Sequence, residues 1–208
     1  MSIIASGPPN FDASDLPVLC PVLHHVNIKT NRQREMIDWY ERVIGSQRVF
    51  KRHDIAFISN DAANHRIALA SLRNYVEPDE RESHIGMHHT GFEYRSMDEL
   101  LLNYVRLKRE GIMPVRCLDH GMTTSFYYRD PDGNRVELQC DNWDNWLQST
   151  TFMREDPRFL EDPIGREVDP PKLIEARRAG LSPWEVHVAA YRGDLAPESV
   201  QARADGDS

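Results

Sequence analysis

The residues of this 208-residue chain that are best suited to bind a metal or transfer a proton are its histidines. Nine are present, and two adjacent pairs, His24-His25 and His88-His89, recur 64 positions apart. A carboxylate, Glu137, lies within an apolar run in the same half of the chain as the second pair. Imidazole nitrogens and carboxylate oxygens bind borderline and hard divalent metals. Two histidines and one carboxylate leave up to three coordination positions open, whereas a structural zinc site is closed by four protein ligands. A convergent set would therefore be a working metal site.

One histidine of each pair is expected to enter that site. Successive side chains of a strand point to opposite faces, so at most one imidazole of each pair can point inward. His25 and His89 are the expected inward-facing members, because each lies two residues before a position, Asn27 or Gly91, that is expected to face the cavity. Glu137 completes the set, because a carboxylate in an apolar strand is costly unless it meets a cation. We expect these three side chains to bind one divalent ion, Fe(II) or alternatively Mn(II).

The candidate ligands fall on equivalent elements of an internal repeat. Alternating and helical apolar patterns predict the order strand, helix and three strands in each half. The first module has a predicted strand over 22–28, a helix over 32–44 capped at Thr30 or Asn31 and ended by Gly45, and strands over 47–50, 55–59 and 65–70. The second has a strand over 85–94, a helix that opens with the capping box Ser96–Glu99 and ends before Gly111, and strands over 113–117, 124–129 and 134–140. His65 and Glu137 then lie on the last strand of their modules.

The duplication predicts an α+β fold. Two paired βαβββ modules enclose a metal-binding concavity between their sheets, and a helical C-terminal extension follows. The expected organisation is an N-terminal arm over 1–20, a domain over 21–142 with modules at 21–75 and 84–142, and an extension over 143–208. The extension has two predicted helices, over 171–179 and 182–191, and a frayed end over 194–208. Its tryptophans, Trp143, Trp146 and Trp184, favour a homo-oligomer, although they could equally pack on the chain's own core.

Composition excludes several partners. The chain has 25 basic and 33 acidic residues, a net charge of −8, and no basic run, so neither nucleic acid nor an anionic membrane is an expected partner. The helix pair near the end looks like a helix-turn-helix but lacks the basic surface of one. No apolar stretch reaches the ~20 residues of a membrane span, and the N-terminus has no signal-peptide pattern. Three scattered cysteines, Cys20, Cys117 and Cys140, favour a reducing compartment, and we expect a cytoplasmic protein.

Three motifs resemble the vicinal oxygen chelate superfamily, which includes glyoxalases, bleomycin resistance proteins and dioxygenases. They are Leu-His-His-Val-Asn-Ile at 23–28, Met-His-His-Thr-Gly-Phe at 87–92 and Ser-Phe-Tyr-Tyr-Arg-Asp-Pro-Asp-Gly-Asn-Arg-Val-Glu-Leu at 125–138. The match covers about residues 20–142. Within the superfamily, the sequence is similar to the one-domain type I extradiol catechol dioxygenases.

The resemblance implies roles for seven positions. His25, His89 and Glu137 match the iron ligands of those dioxygenases. Four further positions match residues around the substrate, which are Asn27, His65, His120 and Tyr127. Asn27 matches a pocket position, and His65 matches an acid/base histidine beside the oxygen-binding position. His120 matches a histidine near the substrate. Tyr127 matches a tyrosine that contacts the catecholate oxygen. The implied cofactor is Fe(II), and the implied substrates are a small aromatic diol and O2.

Two other functions stay open at this point. A glyoxalase- or epimerase-like enzyme of the same superfamily chelates vicinal oxygens but moves a proton and needs no O2. Such enzymes commonly place a metal ligand on the last strand of the first module, where this chain has His65. Ni, Co or Zn would then be a plausible ion. A metal-free protein that sequesters a small molecule is the third possibility, although it would leave Glu137 buried and unpaired.

Overall fold

The chain folds into two βαβββ modules and a C-terminal extension. The computed structural model describes residues 20–77, 79, 83, 85–143 and 145–199. The first module consists of β1 (Val26–Lys29), α1 (Gln33–Ile44), β2 (Gln47–Lys51), β3 (Ile55–Ser59) and β4 (Ile67–Ala70). The second consists of β5 (His89–Tyr94), α2 (Met97–Arg109), β6 (Arg116–Asp119), β7 (Thr123–Arg129) and β8 (Arg135–Asp141). The extension contains α3 (Trp146–Glu155), α4 (Pro157–Glu161), β9 (Arg166–Glu167), α5 (Pro170–Arg178) and α6 (Pro183–Arg192). The predicted α+β class is confirmed.

The two sheets have the same internal order. It is β1-β4-β3-β2 in the first and β5-β8-β7-β6 in the second, where β9 of the extension adds a fifth strand beside β6. In both sheets the first strand pairs in parallel with the last, and the other neighbours are antiparallel. The last strand of each module therefore lies between two neighbours, and Glu137 on β8 has a strand on each side.

Helix ends follow local sequence signals in most cases. Gly45 ends α1 with a left-handed φ of 67°, and its N–H donates to the carbonyl of Tyr40. Ser96 begins α2 by accepting a hydrogen bond from the N–H of Glu99. The start of α1 differs from the prediction, since Arg32 is the capping residue and makes no side-chain bond to the helix. The Thr30 hydroxyl bonds to the Arg32 N–H instead.

One apolar core joins the modules and the extension. Side chains of α1, α2 and both sheets belong to it, together with Leu173 of α5 and Val186 and Ala190 of α6, which are fully buried. An ion pair between Arg177 of α5 and Asp98 of α2, with two contacts of 2.7 Å, adds to this packing. No helix among the described residues is long and apolar enough to cross a membrane.

Several predicted boundaries are wrong at strand starts and in the extension. Strands β1 and β4 begin at Val26 and Ile67, where their parallel pairing begins, so the histidines that precede them lie outside the ladder. Helices α3 and α4 form where no helix was predicted, and α3 is capped by Asn145. Residues 194–199 were expected to fray, but Ala196 is buried and accepts a hydrogen bond from Lys172. Residues 1–19 and 200–208 lie outside the described part of the chain.

Candidate functional site

Glu137 lies at the centre of a connected group of polar side chains in the second module. It pairs with Gly91 of β5 on one side and with Tyr127 of β7 on the other. Its side chain is 9% exposed. The hydroxyl of Tyr127 donates to Oε1 at 2.7 Å, and Nε2 of His89 lies 3.0 Å from Oε2. Both oxygens of a buried carboxylate are therefore in polar contact, which accounts for its place in an apolar strand.

The space beside this carboxylate depends on Gly91. A Cβ atom at position 91 would lie 3.2 Å from Oε2 of Glu137, which is closer than an ordinary van der Waals contact. Two ligand atoms ~2.1 Å from one octahedral ion and at right angles to each other lie ~3.0 Å apart. The separation between His89 and Glu137 equals that value. The donor chemistry, the spacing and the room left by Gly91 all fit a divalent ion at this pair.

His120 and Tyr127 extend the group away from the carboxylate. Nε2 of His120 lies 2.9 Å from the Tyr127 hydroxyl, and Nδ1 lies 2.7 Å from the backbone carbonyl oxygen of Ile164. Burial, followed by the hydrogen bond to Glu137, raises the pKa of Tyr127, so the phenol keeps its proton at neutral pH. Burial lowers the pKa of His120, so its neutral form dominates there.

A second group of imidazoles lies in the first module. His24, His25 and His65 place one ring nitrogen each within 4.8 Å of one another. Nδ1 of His24 is 3.0 Å from Nδ1 of His25, and the rings of His25 and His65 have centroids 4.4 Å apart. Burial first, and then the charges of His25 and His24, lower the pKa of His65. Asn27 is exposed on β1, two residues after His25.

The predicted site residues therefore form two groups. Within the described ranges, the histidines of the first module are the one set of three or more metal-donor side chains within 4.8 Å of one another. His25, His89 and Glu137 do not form such a set there. The roles of the site residues thus remain predictions. Of the predicted metal ligands, His89 and Glu137 lie together in the second module, and His25 lies with the histidines of the first.

The sheet register corrects one expectation about the repeat. Asn27 pairs with Ala68 in the first module as Gly91 pairs with Glu137 in the second. Ala68, and not His65, is therefore the counterpart of Glu137. His65 precedes β4, which begins at Ile67, and the guanidinium of the intervening Arg66 binds Asp61 and the carbonyl of His24.

Sequence reasoning missed a buried histidine–aspartate contact next to this site. Nδ1 of His187, on α6, lies 2.8 Å from Oδ2 of Asp119, at the end of β6, and both side chains are almost fully buried. Asp119 immediately precedes His120. A histidine between Val186 and Val188 in an apolar helix was the available signal, because such a side chain needs a buried polar partner.

The tryptophans of the extension have different environments. Trp143 donates from its indole nitrogen to the carbonyl of Gly121 at 3.1 Å, and its ring lies 4.8 Å from that of Trp184, centroid to centroid. This residue packs on its own chain. Trp146 remains 70% exposed, with its indole nitrogen bonded to Glu93. A homo-oligomer therefore stays a prediction.

Comparisons with known proteins identify the family. A solved structure described as a possible glyoxalase from Bacillus cereus is 20% identical, with a TM-score of 0.46, and covers 58% of this chain and 100% of that one. Biphenyl-2,3-diol 1,2-dioxygenase 2 of Rhodococcus globerulus is 36% identical over 178 residues, or 86% of this chain and 93% of that protein. Biphenyl-2,3-diol 1,2-dioxygenase 3 of the same organism is 36% identical over 171 residues, 82% and 90% of the two chains. The family model of the "Glyoxalase/Bleomycin resistance protein/Dioxygenase superfamily" matches residues 22–138. On the strength of this match and the two dioxygenase relatives, the chain belongs to that superfamily.

Proposed function

We propose that the protein is an Fe(II)-dependent extradiol dioxygenase that cleaves the ring of a catechol-type diol beside its hydroxyl groups, with O2. The observation that carries the proposal is the buried Glu137 carboxylate with Tyr127 on one oxygen and His89 near the other. The two relatives named for biphenyl-2,3-diol dioxygenation support it. A diol of that class is the first substrate to examine.

The proposed ligands are His25, His89 and Glu137. Bound Fe(II) would supply Lewis acidity, redox chemistry and open positions at which a vicinal diol and O2 are brought together. His89 and Glu137 have the spacing of adjacent ligands on one ion. His25 lies in an exposed segment immediately before β1, where its imidazole is not fixed by the sheet.

Tyr127 and His120 are placed to take a proton from the substrate. A diol that binds as its anion must lose a hydroxyl proton. The Tyr127 hydroxyl donates to Glu137 and can turn to Nε2 of His120, 2.9 Å away. Its proton then passes to Nε2 while the Tyr127 oxygen accepts the proton of the substrate. The lowered pKa of His120 keeps this nitrogen unprotonated and available at neutral pH. His65, whose pKa is also lowered, is proposed to hold and return a proton during ring cleavage.

The register of the first sheet bears on the competing enzyme class. A glyoxalase-like site would take a ligand from the last strand of the first module. The counterpart of Glu137 on that strand is Ala68, whose side chain has no donor atom. This supports three protein ligands and open positions, as a dioxygenase requires, over a site with a fourth ligand from β4.

An oxygen electrode provides the first test. The protein is purified without oxygen, its metal is determined, and O2 uptake is followed with a panel that includes catechol and biphenyl-2,3-diol. We expect Fe(II)-dependent uptake of one O2 per diol cleaved. Turnover of a substrate without O2 uptake would contradict the proposal and favour a proton-moving enzyme.

Paired alanine variants test which side chains hold the ion. We expect His25→Ala and Glu137→Ala to lose the metal, and their controls His24→Ala and His65→Ala to retain it, with His65→Ala losing most turnover. An ion held by the three imidazoles of the first module would be lost from His25→Ala as well, but it would be retained in Glu137→Ala and lost in His24→Ala and His65→Ala. That result would overturn the assigned ligand set.

A further inference from the structure

We infer that the C-terminal extension is a working part of the site, because the backbone carbonyl of Ile164 holds His120 in the tautomer that leaves Nε2 free to accept a proton from Tyr127. The inference rests on the proposed function, since it concerns the same pair of residues. It gives the extension a role in chemistry as well as in packing.

The tautomer follows from the partners of the two ring nitrogens. A carbonyl oxygen can only accept a hydrogen bond, so Nδ1 of His120, 2.7 Å from the Ile164 oxygen, must carry a proton. In neutral imidazole the other nitrogen, Nε2, then has a free lone pair and lies 2.9 Å from the Tyr127 oxygen. The Tyr127 proton is bonded to Glu137 and reaches that lone pair when the hydroxyl turns from Oε1 to Nε2. In the alternative tautomer Nε2 would be a donor, and Nδ1 would place its lone pair against the carbonyl oxygen. The position of Ile164 therefore selects the form that can act as a base.

The extension holds this carbonyl in place by adding a strand to the sheet. β9 pairs with β6, with Arg166 opposite Asp119, which brings the preceding residues against the end of β6. Gly165 has a φ of 82°, and a Cβ there would overlap the carbonyl oxygen of Asp119. The Ile164 carbonyl reaches His120 only because residue 165 has no side chain.

The extension also fixes both chain neighbours of His120. On one side, His187 of α6 pairs with Asp119. On the other, Gly121 is covered by Phe152, whose ring a Cβ at position 121 would overlap, and its carbonyl accepts from Trp143. His120 is thus held through its ring, the residue before it and the residue after it, and every one of these contacts comes from the extension. The contacting residues of the extension are positioning residues, because they act on the reaction only through His120.

The test uses two glycine variants of the full chain. Gly165→Ala should push the segment away from Asp119 and release His120. Gly180→Ala is its matched control, since Gly180 also has a positive φ, 99°, but open space where its Cβ would be. Both variants bear the conformational cost of alanine at positive φ, and only the first meets another part of the backbone.

Histidine tautomers are read by nitrogen-15 NMR of the histidine-labelled chain without added metal, with the His120 signals identified from a His120→Asn sample. We expect a protonated Nδ1 and an unprotonated Nε2 in the wild type and in Gly180→Ala, and loss of that pattern in Gly165→Ala. In the oxygen assay, Gly165→Ala should lose kcat by ~100-fold or more, since a positioned acid–base group contributes ~10²–10⁴-fold, with KM and metal content little changed.

The two readouts separate failure of the inference from failure of the proposed function. A wild type that takes up O2 but has the proton on Nε2 overturns the inference alone, and so does a Gly165→Ala variant with an unchanged spectrum and kcat. A wild type without O2 uptake overturns the proposed function, while its spectrum still reports the tautomer. If Gly165→Ala does not fold, the wild-type spectrum decides.

Discussion

Gly91 offers the most direct perturbation of the proposed metal site. In Gly91→Ala the new methyl carbon would lie 3.2 Å from Oε2 of Glu137, so the oxygen must move by a few tenths of an ångström. Oε2 lies 3.0 Å from His89, and Oε1 is held by Tyr127 at 2.7 Å, so the shift disturbs a ligand position. Changes in the shell around metal ligands typically cost 10–100-fold in affinity. We expect the dissociation constant for the metal to rise by ~10–100-fold, or ~1.4–2.8 kcal/mol.

The effect on the stability of the fold should be small, because two contributions oppose each other. Glycine inside a strand destabilises a protein by ~0.5–1 kcal/mol relative to alanine, and Gly91 lies within β5. Displacement of the Glu137 carboxylate offsets this gain, so the metal-free Gly91→Ala protein should have a free energy of unfolding within ~1 kcal/mol of that of the wild type. Weaker metal binding in a protein of nearly unchanged stability would locate the effect at the carboxylate.

The assay is a competition titration against a chelator, performed without oxygen, with Gly86→Ala as the control. A Cβ at Gly86 has no neighbour within 4 Å, so this variant should bind metal as the wild type does. Wild-type affinity in Gly91→Ala would refute the assignment of Glu137 as a ligand at this distance. Equal losses in both variants would show a general effect of alanine.

Three further predictions concern stability. Tyr127→Phe removes the hydrogen bond to the buried Glu137 and should lower the free energy of unfolding by ~1–3 kcal/mol in urea denaturation, and a change near zero would contradict the contact. The Arg177 guanidinium lowers the pKa of Asp98, so their stabilisation is present above the ordinary aspartate pKa and is lost as pH falls through the lowered value. Asp98→Asn should therefore cost less than ~1 kcal/mol at pH 7, since the pair is partly exposed, and its difference from wild type in thermal unfolding should disappear in strong acid. His187→Leu removes one hydrogen-bond partner of the buried Asp119, which still accepts from Gly121 and Asn142, and should cost ~1–3 kcal/mol, whereas a change near zero would contradict the contact.

Local patterns in the sequence were sufficient to predict the repeat and part of the site. The ten-residue spacing from Tyr127 to Glu137 becomes a direct cross-strand pair because the turn over 130–133 joins two antiparallel strands. Gly133, with a φ of 81°, closes that turn. A short hairpin fixes its own register, so one sequence spacing is enough to place two side chains side by side.

Contacts between distant segments could not be predicted in this way. The parallel pairing of β1 and β4 joins segments about 40 residues apart. Its register makes Ala68 the counterpart of Glu137, whereas the repeat in the sequence had suggested His65. The two-residue strand β9 is too short to show alternation. The contact between Ile164 and His120 uses a backbone carbonyl, which has no residue-type signal at all.

The shared core has a consequence for how this chain can be divided. The motifs end near residue 142, yet three side chains beyond it, Leu173, Val186 and Ala190, have no solvent exposure. A chain cut at that point would present the matching apolar surface of the sheet and α2 to water and release the residues beside His120. Such a fragment is expected to aggregate, and limited proteolysis of the whole chain should leave the two parts associated.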